Sequence, residues 1–232
     1  MKTAAIILAR GGSKGIPGKN VMSFCGKPLM AWTIEQLQEF KEPDYIFVSS
    51  DSPLILTIAR QMGCGEIERP PELSGDEATS ESGWLHALEE VERRVGTVDL
   101  VIAPQVTSPL RCPADFTNAV RLCVEGGYDS MFSASPAKDL CLWNEPTQDM
   151  LQCISYNPAD PRRRRQDFGQ RWIENGSFYL FKPEVLRTHR TRFGGKVGIY
   201  PMRYWQMFEI DEPEDVGLCE AVMTAFMEGR LL

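Results

Sequence analysis

The 232-residue sequence predicts an α/β fold. The expected architecture is a three-layer sandwich with a mostly parallel, twisted sheet, forming one domain with a small insertion near residues 138–170. Three observations predict it. Near-continuous apolar runs, AAIILA close to the start and LVIAP in mid-chain, suit strands buried on both faces, as parallel strands are. Such runs alternate with helical patterns, as crossover connections require. The first run opens onto a glycine-rich turn, and open α/β sheets bind ligands at that end of their strands.

The elements follow in order. Strands are expected at Ala4–Ala9, Tyr45–Ser50, Leu100–Ala103, Asp129–Ser133, Gly176–Phe181 and Val197–Pro201. Helices are expected at Leu29–Phe40, Pro53–Met62, Ser80–Val95, Ala114–Glu125 and Glu212–Met227. Glu212-Pro213 puts proline in a helix's first turn, where its missing N–H costs nothing. Residues 138–170 break the alternation. They are rich in Pro, Asp and Arg with one short apolar piece at Met150–Ile154, and they read as an inserted lid or oligomerisation arm.

A domain of this length buries roughly 70–75% of its unfolded surface and needs no covalent staples. Hydrophobic residues make up 43% and charged residues 25%, which excludes a disordered chain, a collagen-like fibre and a coiled coil. No apolar run approaches the ~20 residues of a membrane helix, and Ala4–Ala9 is too short for a signal peptide. A soluble, non-secreted protein is expected. The seven cysteines are odd in number and form no C-x-x-C pair, so free thiols in a reducing cytosol, acting as small buried hydrophobes, fit better than disulfides or zinc. The two histidines, His86 and His189, stand in no hydrolytic arrangement with Ser, Cys or Asp.

Net charge is −7, which disfavours whole-molecule attraction to nucleic acid. The distribution says more. Residues 1–34 hold Lys2, Arg10, Lys14, Lys19 and Lys27 and no acid, and a second basic cluster runs through Arg162, Arg163, Arg164, Arg165 and Arg171. Two local basic clusters on an acidic protein point to small-anion sites. The first lies in the loop Arg10-Gly11-Gly12-Ser13-Lys14-Gly15-Ile16-Pro17-Gly18-Lys19-Asn20. Its glycines let backbone N–H groups approach phosphate oxygens, and its cations add charge. It is neither a dinucleotide G-x-G-x-x-G nor a P-loop: Ser13 stands where the P-loop needs glycine, and Asn20 follows Lys19.

With Leu8-Ala9 before it, this loop resembles the nucleotidyltransferase signature L-x-x-R-x-G-S-K-x-x-P-x-K-N, and more narrowly that of the acylneuraminate cytidylyltransferase family. Further motifs follow in the family's order: Arg69-Pro70-Pro71-Glu72-Leu73, Gln105-Val106-Thr107-Ser108-Pro109-Leu110-Arg111, Arg165-Gln166-Asp167, Glu174-Asn175-Gly176-Ser177-Phe178-Tyr179 and Glu209-Ile210-Asp211. The resemblance covers essentially the whole chain. It implies a Rossmann-like nucleotidyltransferase fold and a reaction in which a 2-keto-3-deoxy sugar acid attacks the α-phosphate of CTP. The chemistry agrees, because phosphoryl transfer needs charge neutralisation and positioning more than covalent help. On the nucleotide side the expected residues are Ala9, Arg10, Gly11, Ser13, Lys14, Lys19, Asn20, Arg69 and Ser80, with Arg10, Lys19 and Asp211 as the catalytic set. Arg165 offers a planar fork for the acid's carboxylate, and Gln105, Gln166 and Asn175 read its hydroxyl or acyl groups. Glu209 and Asp211 project to one side of an extended segment and are expected to hold Mg²⁺. The family shows Asp-x-Asp here, so Glu209 departs from it; Asp211 is open to roles as metal ligand, as base, or as both. The resemblance also implies a homodimer whose arm crosses onto the partner.

Substrates are therefore expected to be CTP and a nonulosonic acid, most simply N-acetylneuraminate, with legionaminate, pseudaminate, Kdn or Kdo as alternatives. No nucleic-acid or membrane partner is expected. The run Pro161–Gln166 has a rival reading as a nuclear import signal, but it abuts a substrate motif; the expected location is the cytoplasm, or the nucleus in an animal. A non-catalytic nucleotide-sugar-binding homologue is the rival from another class, and Arg10, Lys19 and Asp211 argue against it.

Overall fold

A computed structural model describes residues 1–40, 43–137, 141–144, 153–157, 159–161, 164 and 169–231. Seven strands form the main sheet: β1 (Thr3–Leu8), β4 (Tyr45–Ser50), β5 (Gly65–Glu68), β6 (Leu100–Pro104), β7 (Ser130–Pro136), β8 (Trp172–Phe181) and β9 (Val197–Pro201), in the order β5-β4-β1-β6-β8-β7-β9. A separate two-stranded hairpin pairs β2 (Ser23–Phe24) with β3 (Lys27–Pro28). All pairs in the main sheet are parallel except those of β8, which runs against both β6 and β7.

β1 shows why the sheet needs two covering layers. Ala5 and Ile7 point into one apolar cluster, with residues of α1 (Leu29–Phe40), α2 (Pro53–Gln61), α4 (Pro113–Glu125) and α6 (Pro213–Met227). Ala4 and Ile6 point into the other, with α3 (Ser80–Val95) and α5 (Pro183–His189). Side chains alternate across a strand, so a strand apolar at every position must be covered on both faces. The three-layer sandwich follows from that pattern.

Most expected elements lie within a residue or two of their observed bounds, and Tyr45–Ser50, Val197–Pro201, Leu29–Phe40 and Ser80–Val95 coincide with them. Besides short 3-10 turns, four short elements are additional. β5 is an edge strand in which only Ile67 is buried, so it carries little apolar signal. α5 spans seven residues, and the hairpin strands two each. β8 begins four residues before the expected Gly176, because its first half pairs with the far end of β7 beyond a bulge between Phe132 and Ala134.

The insertion leaves the sheet between β7 and β8. Its base is closed by the Ala137 N–H donating to the Arg171 carbonyl at 2.9 Å. Among its described residues, Trp143 pairs with Cys153 across an isolated antiparallel bridge and packs edge-on against Tyr156. Leu142, Trp143 and Ile154 are exposed. Cys64, Cys123 and Cys219 are buried as expected of small hydrophobes, whereas Cys141 is exposed and departs from that expectation. Among the described residues, no helix is long and apolar enough to cross a membrane.

Candidate functional site

The C-terminal ends of β1, β4 and β6 converge on one side of the molecule, and the glycine-rich loop lies across them. Its departure is fixed: Ala9 N–H continues the parallel ladder onto Ser49 O at 3.0 Å, and Gly11 N–H donates to Asp51 Oδ1 at 2.8 Å. The amides of Ala9 and Gly11 are thus spent inside the protein. Its return is fixed as well, since Asn20 Nδ2 donates to the Arg10 carbonyl at 2.8 Å. Gly15 sits so tightly against the 209–212 segment that a Cβ there would lie 2.3 Å from the Asp211 carbonyl oxygen. Gly18 takes a left-handed φ of 67°, a conformation glycine adopts without strain.

The loop's cations are partnered in two ways. Lys19 is buried, and its Nζ donates to the Ile210 carbonyl at 2.9 Å and to Asp211 Oδ1 at 2.8 Å. Arg10 Nη1 and Lys14 Nζ both reach Asp76, at 3.2 and 3.0 Å. Asp76 escapes notice in the sequence, where it is one acid in a Gly- and Ser-containing turn. Lys14 and Arg10 hold its carboxyl below the usual carboxylate range, Lys14 contributing most.

Beneath the loop is a cleft of about 360 Å³ whose lining includes Arg10, Ser13, Lys14, Lys19, Asn20, Ser80, Gln105 and Asp211. A second lobe of about 330 Å³ is lined by Arg69, Asp76 and Thr79, among others. Leu8, Arg10 and Ser80 line both lobes, so the two adjoin. Their volumes fall in the range of small-molecule sites. Arg69 lies in the wall of the second lobe, 6% exposed, and its Nε and Nη2 have no hydrogen-bond partner. Burial pushes its pKa down, the carboxylate of Asp51 counters this in part, and Arg10 adds repulsion. Unsatisfied buried donors of a cation are costly, and an anionic or carbonyl ligand would relieve them. Trp84 and Glu212 also line the first lobe and were not expected there.

The first lobe also carries Gln105, which follows β6, and Asp211, whereas Glu209 does not line it and sits with Gln105 beside Gly176. Ser108 Oγ lies 3.5 Å from Glu209 Oε2. Burial raises the Glu209 pKa, and the nearby Asp211 charge raises it further. Gly176, at φ 65°, packs against this carboxylate: a Cβ there would approach Glu209 Oε2 to 3.0 Å. Asn175 is buried with its amide committed internally, accepting from Ser133 Oγ at 2.7 Å and donating to Ser135 Oγ at 2.9 Å. Arg165 and Gln166 lie outside the described residues. Phe193 packs edge-on against Phe132 and Tyr179. Among the described residues, no group of three or more His, Cys, Asp or Glu side chains is placed to hold a metal ion. The Glu209/Asp211 pair supplies only hard oxygen donors, and the Asp211 charge disfavours the ionised form of Glu209. That donor set fits a cation whose remaining ligands come from substrate phosphates.

The sequence matches the cytidylyltransferase family over residues 4–230. It is 35% identical over 226 residues to N-acylneuraminate cytidylyltransferase A of Danio rerio, covering 96% of this chain and 51% of that one. It is 32% identical over 218 residues to the N-acylneuraminate cytidylyltransferase of Streptococcus agalactiae serotype III (strain NEM316), covering 93% and 52%. The chain thus spans about half the length of these curated relatives. The fold is similar to that of a CMP:2-keto-3-deoxy-manno-octonic acid synthetase complexed with CTP, with a TM-score of 0.72, 16% identity, and coverage of 97% of this chain and 99% of that one. It is also similar to a 4-diphosphocytidyl-2C-methyl-D-erythritol synthase from Anaerococcus prevotii DSM 20548, with a TM-score of 0.66, 14% identity, and coverage of 96% and 98%.

Proposed function

The chain belongs to the cytidylyltransferase family, and from that premise we propose that it converts CTP and an N-acylneuraminate to CMP-N-acylneuraminate and diphosphate. The observation that carries this reading is the pairing, in one cleft, of a cationic glycine-rich loop with the unpartnered donors of buried Arg69.

In this reading the triphosphate takes Arg10 and Lys14 from Asp76, and the Arg69 donors turn to the nucleotide. The anomeric hydroxyl oxygen of the acid attacks the α-phosphorus. The bond to the bridging oxygen of the β-phosphate breaks and diphosphate leaves. The hydroxyl proton passes to the Asp211 carboxylate, which Lys19 holds in place. Gln105 orients the acid, and Arg165 and Gln166 bind its carboxylate and substituents. Asp211 and Glu209 would hold Mg²⁺, which supplies charge neutralisation at the phosphates. The proposal includes a homodimer built through the insertion, supported by the exposed Leu142, Trp143 and Ile154. It also includes a cytoplasmic location, supported by seven free thiols, and no nucleic-acid or membrane partner.

Diphosphate release on mixing with CTP, Mg²⁺ and a panel of 2-keto-3-deoxy acids tests it. Release is expected with N-acetylneuraminate, stopped by excess chelator and restored by Mg²⁺. No release with any acid, while CTP still binds, would favour a non-catalytic nucleotide-sugar-binding protein.

A further inference from the structure

Arg111 ends the QVTSPLR motif and is 2% exposed. Nε donates to Gln36 Oε1 at 2.8 Å; Nη1 to the Ser177 carbonyl at 2.6 Å and Ser177 Oγ at 3.4 Å; Nη2 to Thr33 Oγ1 and to the Gln105 carbonyl at 2.9 Å. These contacts use all five N–H donors. Every acceptor is neutral, and burial lowers the pKa to about 9 with only the charge of Asp115 opposing. A buried cation without a carboxylate partner is an expensive way to fill space. What distinguishes this one is where the fork points.

Gln105 N–H donates to the Ser177 carbonyl at 3.0 Å, the oxygen that also takes Nη1, and the Gln105 carbonyl takes Nη2. Both backbone groups of Gln105 are therefore fixed through one guanidinium, which anchors in turn on α1 through Thr33 and Gln36. Gln36 Nε2 closes the frame onto the carbonyls of Pro109 and Arg111, each at 2.9 Å. Ser177 directly follows Gly176, whose backbone lies against Glu209. One planar side chain thus sets the register between the β6 exit, the turn in β8 and α1.

We propose that Arg111 is a positioning residue that fixes Gln105 and the Gly176 turn for the acid substrate, and leaves the nucleotide side of the cleft untouched. This rests on the reading of Gln105 as the acid-facing residue. Lysine retains the charge but cannot bridge two carbonyls and two side-chain acceptors in a plane.

The test is Arg111→Lys, with the acid and CTP varied in turn, CTP binding read by calorimetry, and hydrogen exchange followed at residues 105–108 and at Ala9. The expected result is a loss of about 10- to 100-fold in kcat/KM for the acid, in line with small misplacements of a positioning group. The Kd for CTP stays within about twofold, and exchange quickens at 105–108 but not at Ala9. Because Arg111 acts through Gln105, Arg111→Lys combined with Gln105→Ala should be little worse than Gln105→Ala alone. If CTP binding and acid turnover fall together, or the two substitutions multiply, the positioning role is overturned. Should Arg111→Lys fail to fold, Thr33→Val removes one acceptor and should show the same split at about two- to threefold; unchanged acid kinetics would refute the proposal. The exchange readout needs no turnover. An inactive wild type with loosening confined to 105–108 would sink the proposed reaction and keep the positioning role.

Discussion

Lys14 and Lys19 stand five residues apart on one loop and meet different physical conditions. Lys14 is 73% exposed in its side chain and shares Asp76 with Arg10; Lys19 is 11% exposed and donates both to Asp211 and to the Ile210 carbonyl. The exposed contacts are screened by water and salt, contribute little to stability and break cheaply. The second contact is enclosed on one side only: Asp211 is 60% exposed, so removing Lys19 leaves a solvated carboxylate, whereas removing Asp211 strands an enclosed ammonium, which is the costly change. The leading half of the loop can therefore trade a protein carboxylate for phosphates, whereas the trailing half is a fixed strut that sets Asp211. Gly15 lies between them, pressed against the Asp211 carbonyl, and couples the loop to the strut.

Breaking the strut from the acid side should have the largest effect. Asp211→Asn keeps the shape, removes the charge and leaves Lys19 without its anion. It should cost at least ~100-fold in kcat, or roughly 2.7 kcal/mol, with the fold retained by circular dichroism. Glu209→Gln should cost less, because its carboxyl is already disfavoured as an anion by burial and by Asp211. If Glu209→Gln proves the worse of the two, the roles within the pair are reversed. From the cation side, Lys19→Ala removes a charge-assisted contact of ~1.5–3 kcal/mol, so turnover should fall about tenfold to several hundredfold. Near-wild-type turnover would show that Lys19 is only a packing element. Gly15→Ala tests the coupling. Its Cβ would meet backbone, not a flexible side-chain end, so loop and strut must separate. Activity should drop while the melting temperature changes little, and an unchanged rate would mean that the two halves are independent.

The strut and the trade were not equally visible in the sequence. The loop stands out because glycines and three cations follow a doubly buried strand, and Glu209-Ile210-Asp211 stands out through its spacing. The contact of Lys19 with Asp211 joins residues 192 positions apart, which no local pattern encodes. Asp76 carries no signal at all, because its meaning comes only from the 66 residues of chain that fold back to bring Arg10 beside it. Arg111 is visible as the end of a motif, but charge is the usual mark of a surface, so its complete burial runs against expectation. The same limit governs the fold. Strands buried on both faces announce themselves, and long amphipathic helices do too. The antiparallel course of β8 has no compositional mark, since its apolar half, Phe178 to Phe181, reads like any central strand.

The smallest expected effect lies at the exposed end of the loop. Asp76 is an exposed carboxylate, ionised at neutral pH, and Lys14 and Arg10 favour its charge further, so in the proposed reaction CTP meets an intact contact. In that reading the triphosphate displaces a carboxylate from both cations. Asp76→Asn removes the competitor without removing either cation. The KM for CTP should fall by about two- to fivefold, the scale of an exposed ion pair, with kcat unchanged. The advantage should fade toward 1 M salt, where the Debye length shrinks to about 3 Å. A rise in KM would mean the opposite: Asp76 holds the loop in its binding shape, and the exposed half is as much a strut as the buried one. Steady-state kinetics at two salt concentrations separate these outcomes, since a positioning loss persists at high salt and relief of competition does not.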